Sequence, residues 1–110
     1  MSLSAIPAFI DYPAMTPENA ILTLIEGQNL SLTCRANGYP IPVIRWKHRG
    51  NLVGYSSDSR ISNSSENGYG VLNITSLQVN DSGSWICVAE NSLDYVHAPR
   101  ETIVHVQREP

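Results

Sequence analysis

Leu30-Ser31-Leu32-Thr33-Cys34 alternates apolar and polar residues, the pattern of a strand with one face buried and the other wet. Successive side chains of a strand point to opposite faces, so Leu30, Leu32 and Cys34 share the buried side. The same alternation sets Ile44 and Trp46 inward, with Arg45 and Lys47 outward. It sets Leu72 and Ile74 inward with Asn73 outward, and Trp85, Cys87 and Ala89 inward with Ser84, Ile86, Val88 and Glu90 outward. Thr102 to Val106 is ambiguous between its two faces. Thr102, Val104 and Val106 are placed inside because the alternative buries His105. No stretch of helical length keeps a 3.6-residue period, and turn residues recur at about ten-residue intervals, which predicts an all-β sandwich.

The chain has 110 residues, 42% of them hydrophobic and 15% charged, with 7 glycines and 7 prolines. That is the size and composition of one folded, turn-rich domain. Its formal charge of −3 provides no basic face for a polyanion, so nucleic acid is excluded as a partner. No run approaches the roughly 20 apolar residues of a membrane span, so direct membrane contact is not expected. Met1-Ser2-Leu3-Ser4 lacks the basic start of a secretory leader and is read as an expression remnant. The only cysteines, Cys34 and Cys87, lie 53 positions apart, which rules out a CxxC redox or zinc motif and predicts one long-range disulfide. A bridge places the domain in an oxidising compartment. The alternative is two buried thiols in a cytosolic protein.

Gly38, Pro40 and Pro42 stiffen the loop before Ile44. Gly68-Tyr69-Gly70 is read as the end of the loop before the Leu72 strand, and Asp81-Ser82-Gly83 as the turn before the Cys87 strand. The domain is expected to run over residues 5–107, with 1–4 outside it and 108–110 a C-terminal linker. The proline-containing ends, Ile6 to Pro17 and Gln107 to Pro110, look like connections to neighbouring domains.

The order Cys34, Trp46, Cys87 sits within longer matching stretches: Glu26 to Cys34, Gly38-Tyr39-Pro40-Ile41-Pro42-Val43-Ile44-Arg45-Trp46, Leu72-Asn73-Ile74, and Asp81-Ser82-Gly83-Ser84-Trp85-Ile86-Cys87-Val88-Ala89-Glu90-Asn91. Over roughly residues 7 to 107 the chain resembles an intermediate-set (I-set) immunoglobulin domain. The resemblance implies a Greek-key sandwich of two antiparallel sheets whose core holds Leu32, Leu72 and Ile74, with Trp46 packed on the Cys34–Cys87 disulfide. It also implies that Arg60 and Asp81 form the structural ion pair that closes one end of the barrel. Trp85 stands where such domains carry a corner tyrosine. An indole donates a hydrogen bond but cannot accept one, so the corner must be rebuilt locally with the fold intact. Asp94 occupies the place of a turn glycine, where aspartate tolerates the left-handed conformation better than most residues. The stretch from Asn91 to the last strand is about two residues longer than usual for the family.

No nucleophile beside a base, carboxylate pair or metal cluster has a recognisable spacing, and His48, His97 and His105 are too far apart for a ligand pair. No enzymatic activity, cofactor or metal is therefore expected. Asn29, Asn63, Asn73 and Asn80 begin Asn-x-Ser/Thr sequons, all read as outward or loop positions. Ile86, Val88 and Ile103 form an apolar cluster with Arg45, Lys47, Glu90 and His105 at its rim, a candidate interface. Arg45, Lys47, His48 and Arg49 are the one basic cluster, but alternate members face opposite sides and the domain is acidic, which disfavours a glycosaminoglycan.

These features predict an extracellular or cell-surface module that binds a protein partner, homophilically or heterophilically, beside adjacent immunoglobulin-like domains. This is the setting of adhesion molecules and receptor ectodomains. The alternatives are a spacer in a tandem array and an intracellular muscle-type scaffold domain.

Overall fold

The computed structural model describes residues 9–11, 13–17, 20–53 and 59–108. The remnant expected at 1–4 and the last two residues of the linker expected at 108–110 lie outside them.

One sheet comprises β2 (Ala14–Thr16), β4 (Leu30–Arg35), β9 (Tyr69–Ile74) and β8 (Ile61–Glu66), in that order and antiparallel throughout. The other runs β3 (Ile21–Ile25), β12 (Thr102–Gln107), β10 (Gly83–Glu90), β6 (Val43–His48) and β7 (Asn51–Leu52), with β11 (Tyr95–His97) paired to β10 beyond the start of β12. Its pairs are antiparallel except β3 with β12, which is parallel. A two-residue ribbon joins β1 (Phe9–Ile10) to β5 (Gly38–Tyr39), and a short 3-10 turn, Val79–Asp81, leads into β10. This is an immunoglobulin-like β-sandwich.

The core forms where the inward positions of the two sheets meet. Leu32, Cys34, Leu72 and Ile74 come from one sheet, and Ile44, Trp46, Trp85, Cys87, Ala89, Val104 and Val106 from the other, all buried. Cys34 and Cys87 join the sheets, with their Cα atoms 6.4 Å apart. Trp46 lies directly opposite Cys87 in the β6–β10 ladder, so its ring is delivered to the disulfide by register. Closing a loop of 53 residues in the unfolded chain accounts for about 4 kcal/mol of stability on the chain-entropy view. Thr102, Val104 and Val106 are the buried side of β12 and His105 is exposed. The Thr102 hydroxyl is satisfied by the Pro17 carbonyl at 2.6 Å, which makes a polar residue acceptable there.

Three local expectations are corrected. Two parts of the segment expected to be a connection, Phe9–Ile10 and Ala14–Thr16, are strands, because the prolines around them still permit edge pairing. Tyr69 and Gly70 belong to β9, and the turn is Asn67–Gly68, both left-handed (φ 52° and 78°), a two-residue hairpin loop matched to the twist of its strands. Among the described residues the left-handed non-glycine ones are Arg49, Asn67 and Ser76, and Asp94 is not among them. Asn91 instead holds that loop, its Oδ1 accepting from the backbone N–H of Leu93 and of Asp94, at 2.8 and 3.1 Å.

Between β11 and β12 the chain bulges away from β10. Trp85 pairs with Thr102 and Val88 with His97, so three steps along β10 correspond to five along its partner. The two surplus residues fall at the Pro99–Arg100 bend. Proline has no N–H to lose from the ladder there.

Gly70 sets the distance between the sheets at this point. A Cβ on it would stand 2.5 Å from Ile44 Cγ2 and 2.6 Å from Ile44 Cβ, so only glycine lets β9 approach β6 so closely.

Candidate binding surface

On the outer face of the larger sheet, the residues expected to form an apolar interface are placed differently from expectation. Val88 has no exposed surface. It does point outward, but its direct cross-strand neighbours are Arg45 and His97, and polar side chains from three strands roof it over. Arg45 Nε pairs with Glu90 Oε1 at 2.9 Å. Lys47 Nζ lies 2.9 Å from His97 Nε2 and 5.3 Å from the Tyr95 ring centroid, and Tyr95 meets His97 edge-on. An ammonium only donates, so Nε2 of His97 is the acceptor and the ring is neutral in this arrangement. Desolvation, and after it the charge of Lys47, lower the His97 pKa from its ordinary value. Ile86 is half-buried and packs against the core, and Ile103 is half-buried in register with the exposed Ile21.

The basic cluster is likewise dispersed. Arg45 and Lys47 are engaged as above. His48 turns back to stack on Trp85, with ring centroids 4.0 Å apart and planes 11° from parallel, and its Nε2–H donates to the Ser82 carbonyl at 2.8 Å. Arg49 Nε donates to the same carbonyl at 3.0 Å.

That stack belongs to a lock at one end of the sandwich. Trp85 Nε1 donates to the Asp81 carbonyl at 2.9 Å, the corner bond that a tyrosine hydroxyl would otherwise make. Asp81 faces Arg60 with two contacts, Nη1–Oδ2 at 2.9 Å and Nη2–Oδ1 at 3.3 Å, and Asp81 Oδ2 also accepts from the Gln78 N–H at 2.8 Å. Arg60 Nη1 reaches the Ser76 carbonyl at 3.0 Å. The two tryptophans thus differ. Trp85 donates a hydrogen bond, whereas Trp46 is buried with its N–H unpartnered among the described residues.

The opposite end carries the exposed apolar surface. Of the eight large hydrophobic residues exposed among the described ones, five lie toward this end: Tyr39, Ile41, Val43 and Leu93, and Tyr69 on the outer face of the smaller sheet. Tyr39 and Ile41 flank Pro40 in the segment between β4 and β6, and Asn91 Nδ2 donates to the Pro40 carbonyl at 3.0 Å, tying the Leu93 loop to it. Val43 is in register with Glu90, and the Ile41 side chain borders the Asn67–Gly68 turn. Ile41 is 60% and Leu93 54% exposed, far more open than Ile86. The signal for Ile41 in the sequence is an apolar residue between Pro40 and Pro42, where no core periodicity requires it.

The sequons are equally uneven. Asn73, Asn29 and Asn80 are exposed. Asn63 is half-buried and lies opposite the buried Leu72, so the period of β8 turns it inward, contrary to expectation.

Two open grooves of about 580 Å³ flank the sheets, one beside Tyr95 to Pro99 and one beside His48, Leu52 and Trp85. In the second, His48 is committed to Trp85 and Ser82. Among the described residues no three acidic, histidine or cysteine side chains gather as a metal site, and no helix is long and apolar enough to cross a membrane.

Comparison with known proteins accords with this architecture. The chain is 40% identical over 82 residues to human leucine-rich repeat and fibronectin type III domain-containing protein 1, covering 74% of this chain and 10% of that protein. It is 34% identical over 98 residues to Neuroglian of Drosophila melanogaster, covering 89% and 7%. The chain therefore spans a tenth or less of these curated relatives. Among solved structures, the titin M10–obscurin-like 1 Ig complex superposes with a TM-score of 0.71 at 23% identity, covering 89% of this chain and 96% of that one, a likeness of fold. The family model described as immunoglobulin domain matches residues 13–91, and the chain belongs to that family.

Proposed function

We propose that this is a non-enzymatic, extracellular I-set domain, spanning residues 5–107 of a larger protein, that binds a protein partner through its loop end. The observation that carries this reading is the exposure of Tyr39, Ile41, Val43 and Leu93 at one end of the sandwich, on β5, the start of β6 and the loops beside them, where the Asn91–Pro40 bond ties the two segments together. Aromatic and aliphatic side chains presented on a rigid support lose little entropy on contact, which is how binding hot spots are built. The buried disulfide supports an oxidising, secretory setting, because cytosolic thiols are kept reduced.

The test is a binding screen against cell-surface ectodomains, with sedimentation of the domain alone to detect self-association. Ile41→Asp is expected to weaken the interaction at least tenfold without changing the melting temperature, while Arg49→Ala leaves it intact. Unchanged binding by Ile41→Asp would remove the loop end from the proposal. A spacer role is the second reading, favoured by relatives many times longer than this chain. In that case the same substitution alters the angle between neighbouring domains and no external affinity. An intracellular scaffold role predicts two free thiols in the denatured, unreduced protein.

A further inference from the structure

We propose that Asn73 carries an N-linked glycan and that Asn63 does not, an inference that rests on the secretory setting above. Asn73 sits in the middle of β9 on the outer face of the smaller sheet. Its direct neighbours are Ser31 on β4 and Ser62 on β8, and all three are exposed. Among the described residues no hydrogen bond engages its amide. The adjoining outward row is Thr33, Val71 and Ser64, none of them large, so the first sugar meets no bulky side chain beside Asn73; Arg35, Tyr69 and Glu66 lie a row further along the face. The sequon is completed by Thr75.

Asn63 presents the opposite geometry. It shares the inward side of β8 with Ile61, opposite Ile74, and with Ser65, whose hydroxyl accepts the Ile44 N–H of β6 at 2.8 Å. That side of β8 closes against the other sheet. The transfer happens on the incompletely folded chain. The amide nitrogen of asparagine attacks the anomeric carbon of an oligosaccharide carried on a polyprenyl diphosphate, the carbon–oxygen bond to phosphate breaks, and the amide proton passes to the transferring enzyme. An oligosaccharide on Asn63 would then have to enter the seam between β8 and β6, so chains carrying it could not close the sandwich. One on Asn73 meets no such obstacle. At Asn80 the middle residue is Asp81, whose carboxylate opposes the anionic donor.

The chain, secreted from mammalian cells behind a leader, should be purified as folded monomer. Its thiols are then counted, and occupancy is read by the conversion of glycosylated asparagine to aspartate on enzymatic release. Asn73 is expected to be converted in most molecules and Asn63 in none. Asn73→Gln should lose one glycan mass with its melting temperature kept, and Asn63→Gln should lose none. Bare Asn73, or an occupied Asn63, in disulfide-bonded monomer overturns the inference and leaves the secretory reading standing. Two free thiols overturn the secretory reading, and the glycan with it.

Discussion

The indole N–H of Trp85 donates to the backbone carbonyl of Asp81, four residues earlier, across 2.9 Å of buried space, while His48 stacks on the ring. One side chain therefore fastens the start of β10 to the 3-10 turn and to the end of β6. Trp85→Phe leaves a buried carbonyl without its donor and removes part of a large ring. Its expected cost is about 2–4 kcal/mol in urea unfolding. His48→Ala removes only the stack and one bond, at about 1 kcal/mol. Equal losses in the two variants would contradict the corner bond.

Asp81→Ala strips Arg60 of a two-point partner in a site where both side chains are largely buried, at 18% and 7% exposure. The expected loss is about 3 kcal/mol, because a largely buried guanidinium loses its carboxylate. Replacing both residues by apolar ones of similar size, Arg60→Met with Asp81→Leu, should cost less than the sum of the single changes. A double-mutant cycle with no coupling would show that the pair contributes nothing beyond its two separate sets of backbone contacts.

Gly70→Ala brings a methyl group to within 2.5 Å of Ile44 Cγ2, and separating the sheets to admit it should cost about 1–3 kcal/mol. Ile44→Val does not rescue the variant, because the clashing Cβ and branch methyl remain. Full recovery by that substitution would mean the sheets are free to shift at this point.

His97 should titrate below the ordinary histidine range, since desolvation and the Lys47 charge both disfavour its protonated form. As pH falls, the unfolded chain takes up this proton first. The stability held by the Lys47–His97 bond is therefore complete above the unfolded pKa of about 6.5 and is lost as pH drops through the lowered folded value. NMR titration of the ring should show the depressed midpoint, along with faster amide exchange in β11 at acid pH. Lys47→Met should raise the midpoint only part of the way, because desolvation, the larger cause, remains.

Alternation and the Cys34, Trp46, Cys87 order were enough to read the fold and the buried faces of β4, β6, β9 and β12, since burial on one side of a strand imposes a period of two. The interface was not legible in the same way. Val88 has the outward phase that the alternation assigns it, yet it is buried, because Arg45, Lys47, Tyr95 and His97 converge over it from other strands. Asn63 was misplaced because a run of serines gives no phase, and only pairing with Leu72 sets its direction.

The sequence by itself determined one sandwich, its core and its disulfide. Those depend on hydrophobic burial, and burial is written into local periodicity. Tertiary structure alone decided which outward residues stay exposed, which sequon turns inward, and that Tyr39, Ile41 and Leu93 lie exposed at the same end. Each of those outcomes depends on side chains from strands and loops remote in sequence, brought together only when the two sheets close.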